Sequence, residues 1–280
     1  MIQITVIGLG LIGGSIAQDL RSQLGVYVIG VDANADHRRE ALSIGLVDEI
    51  KDLEESLSDT TVVILATPVH IIERQLIDIL DMMGDDMTII DVGSTKHAIC
   101  DAVQGHPRRG QYVAAHPLAG TEFSGPQAAK RGLFQGAKNI ICEKSKSDPK
   151  SLDIAIDIFR SLGMTSYYMT AEEHDRHLAY VSHLSHVTSF ALGLTVLDIE
   201  KDEKQIFNLA STGFRSTSRL AKSNPNTWAA IFDKNSKPLI KALDGYIETL
   251  QKFRSAINDN DKEAMFALMK EANKIKRILK

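Results

Sequence analysis

The sequence contains few cysteines and no long apolar run, and each absence excludes a class of protein. Cys100 and Cys142 are its only cysteines. Because their spacing matches no metal-ligand pattern, we expect both thiols to be buried and no metal to be bound. Such sparse cysteine usage suits a reducing compartment, so we expect a cytoplasmic protein. No apolar stretch approaches the roughly 20 residues that cross a bilayer. Met1 leads directly into an apolar pattern without a basic leader, so neither a membrane partner nor a signal peptide is expected.

An excess of positive charge is also missing. The chain has 32 Lys and Arg against 36 Asp and Glu, which gives a formal net charge of −4. Nucleic-acid-binding proteins usually present a basic face, so we expect no nucleic-acid partner. The hydrophobic content of 44% and the charged content of 24% are those of an ordinary globular protein, and 280 residues suffice for two domains.

The chain opens with a strand–turn–helix–strand pattern that is typical of dinucleotide-binding domains. Apolar runs over residues 4–7 and 26–31 predict two buried strands, and residues 11–24 predict a helix between them. The turn before the helix has a G-x-G-x-x-G pattern formed by Gly8, Gly10 and Gly13. In such a turn the glycines permit a tight bend, close approach of a pyrophosphate, and close packing of the helix on the sheet. The free N–H groups at the helix start, which include Leu11 and Ile12, then favour the phosphates.

Asp32 indicates which dinucleotide is bound. It ends the second strand, nineteen residues after Gly13, where a carboxylate can accept hydrogen bonds from the ribose hydroxyls of the adenosine. A 2′-phosphate at that place would meet the negative charge of Asp32. The sequence therefore predicts NAD rather than NADP as the cofactor.

Strand and helix patterns alternate as far as residue 169. Further strands are predicted at 62–66, 87–92, 112–115, 139–142 and 165–169, and helices at 69–82 and 149–162. Short apolar strands that alternate with helices indicate a doubly wound parallel sheet. We therefore predict an α/β Rossmann-type domain over residues 1–169.

Residues 170–280 show only helical periodicity and predict an all-α domain. Thr170 and Glu173 have the spacing of a capping box at the start of its first helix. A loop near 198–204, a short helix and a break at 223–225 precede two predicted helices, at about 226–257 and 261–279. The apolar helix surface exceeds what one chain could bury, so we expect a homodimer formed through this domain.

Three predicted strand ends bear polar residues, at the edge of the sheet where open α/β proteins bind ligands. They are Thr67–Pro68, Ser94–Lys96 and His116. For Thr67 and Thr95 a turn or cap role and a cofactor role are about equally favoured. Ser94 follows a glycine where the chain must turn sharply, so we expect it beside the nicotinamide. A neutral imidazole at position 116 can accept the proton of a hydroxyl that is being oxidised, which makes His116 the predicted catalytic base.

Two pairs of histidines lie three residues apart on the first helix of the second domain. His183 and His186 share a helix face, and without a third ligand they are better anchors for an anionic substrate than metal ligands. His174 and His177 have the same spacing near the helix start, where we expect a solvated face.

Two arginines four residues apart, Arg215 and Arg219, follow in the helical half. Guanidinium groups suit carboxylates, so a di-acid substrate is a natural partner. For Arg215 a surface ion pair with an acidic residue is an equally good interpretation.

Five segments together resemble one enzyme family, the prephenate/arogenate dehydrogenases of tyrosine biosynthesis, over nearly the whole chain. They are Gly8–Gly13 with Asp32, Asp91–Lys96, His116–Glu122, Ser182–His186, and Gly213–Arg219 with Trp228. The resemblance implies NAD-dependent oxidative decarboxylation of prephenate, a small-molecule substrate, to 4-hydroxyphenylpyruvate. It implies that His116 bonds the substrate hydroxyl, that Ser94 orients His116 or that hydroxyl, and that Arg219 holds a carboxylate.

The resemblance also implies a wider set of site residues. His186, and less directly His183, would approach the pyruvyl side chain, Trp228 would line the pocket, and Glu122 would form an ionic gate with an arginine. The implied substrate-binding residues are Thr121, Glu122, His183, His186, Gly213, Arg215, Ser216, Arg219 and Trp228. The implied cofactor-binding residues are Gly8, Gly10, Leu11, Ile12, Gly13, Asp32, Thr67, Pro68 and Ser94.

Three alternatives remain. Many arogenate-using relatives have Asp where this chain has Ser216, and since a neutral Ser cannot pair with an ammonium, prephenate is favoured over arogenate. A β-hydroxyacid dehydrogenase would need a catalytic lysine on the first interdomain helix, and there is none between Thr170 and Glu200. A non-catalytic NAD-sensing protein would need Asp32 and the glycines but not His116 together with Arg219.

Overall fold

The computed structural model describes residues 3–201 and 205–278. The chain divides into two compact units, residues 1–235 and residues 236–280. The first unit contains the whole sheet and the helices up to Lys234, and the described part of the second contains two α-helices and a short 3-10 helix, Asn273–Arg277. The boundary near residue 169, where strands give way to helices, stays a prediction.

The first unit is built on one eight-stranded sheet with the order β3-β2-β1-β4-β5-β6-β7-β8. The strands are Gln3–Ile7 (β1), Tyr27–Val31 (β2), Glu49–Ile50 (β3), Val62–Leu65 (β4), Thr88–Asp91 (β5), Tyr112–Leu118 (β6), Lys138–Cys142 (β7) and Thr165–Met169 (β8). All neighbouring strands are parallel except β6 and β7, which are antiparallel. The predicted doubly wound sheet is thus confirmed, with one antiparallel pair that the prediction of a parallel sheet did not include.

Helices cover both faces of the sheet. They are Leu11–Leu24 (α1), Ala35–Ser43 (α2), Leu53–Ser56 (α3), Val69–Met82 (α4), His97–Ala102 (α5) and Pro149–Ser161 (α6). Ile16 of α1 and Phe159 of α6 belong to one buried cluster, whereas Leu76 of α4 and Ile99 of α5 belong to the other. Burial of these side chains from water supplies the main stabilisation of the sheet-and-helix layers.

Both cysteines are buried, as predicted. Cys100 lies in α5 and Cys142 ends β7, and neither forms a disulfide. Burial raises the pKa of Cys100 to about 12, and it raises the pKa of Cys142 as well. Both thiols therefore stay protonated and act as small apolar side chains.

The helices after residue 169 differ in detail from the prediction. They are Ala171–Leu178 (α7), Leu184–Glu200 (α8), Thr212–Thr217 (α9), Pro225–Lys234 (α10), Ser236–Asn258 (α11) and Lys262–Ala272 (α12). Between α7 and α8 the five residues Ala179–His183 form a π-helical segment. The helix continues to Glu200, three residues into the predicted loop, and residues 202–204 lie outside the described part of the chain. Two helices, α10 and α11, stand where one was predicted.

In the second unit α11 and α12 pack against each other, and Asp261 caps α12 by accepting from the N–H of Ala264 at 2.9 Å. The predicted end of the last helix, Leu279, lies outside the described residues. Within residues 3–201 and 205–278 no helix is long and apolar enough to cross a membrane.

Candidate active site

The glycine turn between β1 and α1 has the geometry of a phosphate-binding loop. Gly8 has a φ of 94°, and a Cβ there would lie 2.6 Å from the carbonyl oxygen of Ala66. A Cβ on Gly13 would lie 1.9 Å from the carbonyl oxygen of Gly8, so both positions exclude a side chain. A Cβ on Gly10 would meet nothing within 4 Å. The space above Gly10, at the N-terminus of α1, is therefore open to a ligand phosphate.

Asp32 is held at the end of β2 beside this turn. Its carboxylate accepts hydrogen bonds from the backbone N–H groups of Leu9 and Asn34, both at 2.8 Å. The Nδ1 atom of His37 lies 3.5 Å from the same carboxylate. These contacts fix the carboxylate at the place where a dinucleotide fold receives the ribose of the adenosine.

Thr67 and Pro68 lie where β4 gives way to α4. Pro68 is the N-cap residue of α4, and the Thr67 hydroxyl donates to Oε1 of Gln75 at 2.6 Å. These contacts account for the turn itself. A cofactor role for the two residues stays a prediction.

A buried charged network lies beneath the carboxyl ends of β5 and β6. The side chain of Lys96 is fully buried, forms an ion pair with Asp91 and donates to the carbonyl oxygen of Ala115 at 2.9 Å. The Tyr112 hydroxyl donates to the other oxygen of Asp91 at 2.6 Å, and burial together with this carboxylate raises the pKa of Tyr112. Because Lys96 bonds the residue before His116, the network fixes the strand that bears the predicted base.

His116 lies within β6 and not after it, since the strand continues to Leu118 and position 116 pairs with Ile140 of β7. Its Nδ1 atom lies 2.8 Å from Nε2 of His174. The Nδ1 atom of His174 lies in turn 2.7 Å from the carboxylate of Asp175. The expectation of a solvated face at His174 is therefore wrong: its side chain is completely buried, whereas His177 is exposed.

The surroundings keep His116 neutral. Burial lowers its pKa well below the usual 6.5, and His174, Lys96 and His183 act in the same direction. A neutral imidazole can accept a proton, so the structure meets the electrostatic requirement for a general base.

Ser94 and Thr95 lie in the turn after β5. Thr95 is buried and Ser94 is half-buried. The Ser94 hydroxyl makes no hydrogen bond within the described part of the chain, and it is His174 that bonds His116. A role for Ser94 toward the cofactor or the substrate hydroxyl stays a prediction.

Three of the predicted substrate-binding residues of the helical half come together. His186 stacks on Trp228 with ring centroids 3.3 Å apart. The rings of His183 and Trp228 are nearly perpendicular, with their centroids 6.0 Å apart. His183 is buried, which lowers its pKa to about 4, and its Nδ1 atom lies 2.9 Å from the amide nitrogen of Asn235. Burial also lowers the pKa of His186. These residues form a neutral aromatic wall.

An ion pair links this helical segment to the loop after β6. The Arg219 guanidinium lies 3.2 Å from the carboxylate of Glu122, six residues beyond His116. A bond to its own backbone N–H and the charge of Arg219 hold the pKa of Glu122 below its usual value, despite partial burial. The neighbouring Thr121 hydroxyl accepts from the N–H of Phe123 at 3.3 Å. The predicted carboxylate anchor and the predicted gate residue are thus in contact.

The other predicted residues of this segment lie at the surface. Arg215 and Ser216 are exposed on α9, and the Ser216 hydroxyl donates to the carbonyl oxygen of Gly213 at 2.9 Å. Arg215 forms no ion pair with any described residue. The surface ion pair considered for Arg215 is therefore not observed in the described part of the chain.

Sequence reasoning missed His174, Asp175 and Asn235 and gave no role to Lys96. A signal for the first two was present: the buried residues of α7 are Ala171, His174, Asp175 and Leu178, which is the i, i+3, i+4, i+7 pattern of a core-facing stripe. Asn235 had no comparable signal, because its partners lie 52 and 60 residues away in the sequence.

Comparisons with known proteins agree over the whole chain. Residues 16–168 match the family model "Prephenate dehydrogenase, nucleotide-binding domain", and residues 170–271 match "Prephenate dehydrogenase, dimerization domain". A prephenate dehydrogenase of Bacillus subtilis is 32% identical over 276 residues, which is 96% of this chain and 74% of that protein. A cyclohexadienyl dehydrogenase of Zymomonas mobilis is 30% identical over 280 residues, which is 99% of this chain and 96% of that protein.

Solved structures give the same result. Prephenate dehydrogenase of Aquifex aeolicus, in complex with hydroxyphenyl propionate and NAD+, has a TM-score of 0.88 and 30% identity, and the match covers 99% of this chain and 98% of that one. An arogenate dehydrogenase of Synechocystis has a TM-score of 0.77 and 30% identity, covering 99% of both chains. The resemblance noted from the sequence is confirmed. The chain belongs to the prephenate dehydrogenase family.

Proposed function

We propose that this protein is an NAD-dependent prephenate dehydrogenase that converts prephenate to 4-hydroxyphenylpyruvate by oxidative decarboxylation. The Glu122–Arg219 ion pair is the observation that supports this most directly. It brings a guanidinium to the loop that follows the strand of His116, as expected if a base and a carboxylate anchor act on one substrate. A di-acid with an oxidisable hydroxyl fits that combination.

The residues around the glycine turn fit a bound NAD. The open space over Gly10 admits a pyrophosphate against the N–H groups of α1, and Asp32 is positioned for the ribose hydroxyls. NAD, when bound, supplies the acceptor for the hydride that leaves the hydroxyl-bearing carbon of the substrate. The charge of Asp32 disfavours a 2′-phosphate and therefore NADP.

His116 performs the proton transfer in the proposed reaction. Its neutral ring accepts the hydroxyl proton while the carbon–oxygen bond becomes a carbonyl. The bond to the ring carboxylate then breaks, CO2 leaves, and the bonding electron pair moves through the ring to the carbonyl oxygen. That oxygen takes back the proton from His116, and the ring becomes a phenol. Aromatisation drives this step, so the protein contributes mainly positioning and charge complementarity.

Arg219 holds a substrate carboxylate in this proposal. Its guanidinium is paired with Glu122 in the structure, and we propose that the substrate carboxylate takes the place of Glu122, so that the pair acts as an ionic gate. His183, His186 and Trp228 receive the pyruvyl side chain and the ring against their neutral surface.

Prephenate has a keto group in its side chain where arogenate has an ammonium group. Ser216 supplies no negative charge for an ammonium, and its hydroxyl is bonded to Gly213 of its own helix. This favours prephenate. Arogenate is the second candidate, because one of the similar structures is an arogenate dehydrogenase.

A side-by-side assay of nicotinamide reduction tests the proposal. The purified enzyme is supplied with prephenate or arogenate, each with NAD or NADP, and kcat/KM is measured for the four combinations. We expect prephenate with NAD to give the highest value. A higher value with arogenate would contradict the substrate assignment, and a higher value with NADP would contradict the role of Asp32.

Replacing the proposed base tests its role separately. His116→Asn should lower kcat by about 10²-fold or more, the scale of a lost general base, while the affinity for NAD stays unchanged. Turnover close to that of the unmodified enzyme would exclude His116 as the base.

We also propose that the enzyme is a homodimer formed through the helices after residue 169. The matching family model for residues 170–271 describes a dimerization domain. Large apolar side chains of this segment, including Val181 and Leu194, are exposed in the single chain.

A further inference from the structure

We propose that His174 and Asn235 are positioning residues that hold His116 and His183 in opposite tautomers, both through Asp175. This inference rests on the proposed function for its catalytic meaning, but the hydrogen bonds that support it are independent of any substrate. These two residues and Asp175 are almost completely buried, with 0% to 3% of each exposed. Their donor and acceptor roles can therefore be assigned from their protein partners alone.

The carboxylate of Asp175 is the first fixed point. It accepts the backbone N–H groups of Lys96 and His97 at 2.8 and 2.9 Å, which requires lone pairs on both oxygens. Burial by itself raises the pKa of Asp175, but the bonds from His174 and from these two N–H groups outweigh burial and leave the pKa below its usual value. Asp175 is therefore ionised and acts only as an acceptor.

An ionised Asp175 determines the proton positions on the next two rings. Its carboxylate requires the proton of His174 on Nδ1, at 2.7 Å. Because burial lowers the pKa of His174, the ring is neutral and its Nε2 atom has a lone pair. That atom, at 2.8 Å, must accept the Nδ1 proton of His116. Neutral His116 then presents the lone pair of Nε2, as a base for a substrate hydroxyl requires.

The backbone carbonyl of Asp175 determines the other ring. A carbonyl oxygen only accepts, so the atom of Asn235 that lies 2.7 Å from it is the amide nitrogen. The same nitrogen lies 2.9 Å from Nδ1 of His183, which must then accept as well. With a pKa of about 4 the ring is neutral, so His183 has its proton on Nε2. His183 is thus a hydrogen-bond donor toward a carboxylate or keto oxygen.

Asp175 of α7 therefore determines the tautomers of both His116 and His183, through its carboxylate and its backbone carbonyl. His116 accepts a proton and His183 donates a hydrogen bond, although both are neutral histidines. A neutral imidazole has two tautomers, and the wrong one at position 116 would place a donor where the reaction needs an acceptor.

Two variants of His174 separate positioning from packing. Asn at 174 can bond Asp175 but is too short to reach His116, whereas Gln at 174 can place an oxygen where the Nε2 atom lies. His174→Asn should lower kcat by about tenfold or more with KM changed less than about twofold, and His174→Gln should recover part of that loss. The matched control is His177→Asn, an exposed histidine of the same helix, which should keep the kcat of the unmodified enzyme. Equal kcat values for all three variants and the unmodified enzyme would overturn the proposal.

A measurement without substrate tests the tautomers themselves. Nitrogen-15 NMR of histidine-labelled enzyme, assigned by loss of signals in His116→Asn and His183→Asn, should show His116 protonated on Nδ1 and His183 on Nε2. In Asn235→Asp an ionised carboxylate at position 235 can only accept a hydrogen bond, so His183 should shift its proton to Nδ1. The same tautomer on both rings of the unmodified enzyme, or an unchanged His183 in Asn235→Asp, would overturn the inference.

The two kinds of failure are distinguishable. An enzyme that shows the expected tautomers but does not oxidise prephenate refutes the proposed function and leaves the positioning roles in place. An enzyme that oxidises prephenate with His116 protonated on Nε2 in the free state refutes the positioning roles and leaves the function in place.

Discussion

At the scale of single residues, the site depends on histidines that are kept uncharged by burial. The pKa values of His116, His174, His183 and His186 are all lowered, and burial is the largest cause in each case. Protonation of such rings requires a charge to be placed away from water, which is unfavourable without a partner. Activity and stability should therefore respond differently to acid.

We predict that kcat/KM for prephenate keeps its plateau as the pH falls through 6.5 and is lost only below it. In the proposed reaction His116 acts in its neutral form, and burial together with the neighbouring His174, Lys96 and His183 lowers its pKa from 6.5. The unfolded chain, in contrast, takes up protons on these histidines from about pH 6.5 downward, so the free energy of unfolding should fall in that range. The measurements are a pH–rate profile and urea unfolding at each pH. An inflection of kcat/KM at or above pH 6.5 would contradict the prediction.

Arg219 is the residue whose replacement should act on binding. Its side chain is 53% exposed, and its guanidinium is paired with Glu122 in the structure. Arg219→Gln should raise KM for prephenate by about tenfold or more, the range of a lost charge-assisted hydrogen bond, with a smaller effect on kcat. Arg215→Gln, at an exposed arginine without an ion pair among the described residues, serves as a comparison. Steady-state kinetics that give an unchanged KM for Arg219→Gln would exclude it as the carboxylate anchor.

The error at His174 shows what a sequence does and does not reveal about single residues. Two histidines three apart near a capped helix start resemble a solvated face, and His177 is indeed exposed. His174 is buried because it lies between Ala171 and Leu178 on the face that packs against the sheet, where its partner is a residue of β6. Local spacing predicted His116 as a base, but the contact between positions 116 and 174 depends on the fold.

At the scale of elements, the sequence predicted local features better than features that need a neighbour. The bounds of α1 and α4 agree with the helical periodicity, because apolar spacing and the flanking turns determine both. The antiparallel pairing of β6 with β7 has no local signature, since the apolar pattern of a strand does not show whether its neighbour runs parallel or antiparallel to it. The π-helical segment Ala179–His183 was likewise read as ordinary helix. Its last residue, His183, forms a hydrogen bond with Asn235, and helical periodicity cannot predict a contact between residues so far apart in the sequence.

The capping box of α7 provides a test at this scale. The N–H of Glu173 donates to the Thr170 hydroxyl at 3.1 Å, and the N–H of Thr170 donates to the Glu173 carboxylate at 2.9 Å. Thr170→Ala removes one of these bonds and should lower the free energy of unfolding by about 1 kcal/mol. Thr170→Ser keeps the hydroxyl and should restore most of the stability. Urea unfolding of the three proteins measures both effects, and equal midpoints would mean that the cap does not stabilise the helix.

At the scale of the whole molecule, the described helices after residue 169 leave apolar surface uncovered. Val181 is 74% exposed and Leu194 is 69% exposed, and Leu197 and Ile199 lie further along the same helix with about half of their surface exposed. Isolated apolar residues are common on protein surfaces, but a series along one helix indicates an interface. A second copy of the chain is the proposed cover, in agreement with the dimerization domain that the family model describes.

We predict that the enzyme sediments with about twice the mass of its 30.8 kDa chain. Leu194→Glu should shift it toward the monomer, because a carboxylate buried in an apolar interface without a partner is strongly unfavourable. Asp153→Lys, at an exposed position of α6 without an ion pair among the described residues, controls for a change of surface charge and should remain dimeric. Sedimentation equilibrium over a range of protein concentrations measures the association of all three proteins. A monomeric unmodified enzyme at micromolar concentration would refute the dimer. A Leu194→Glu variant as tightly associated as the Asp153→Lys control would place the interface elsewhere.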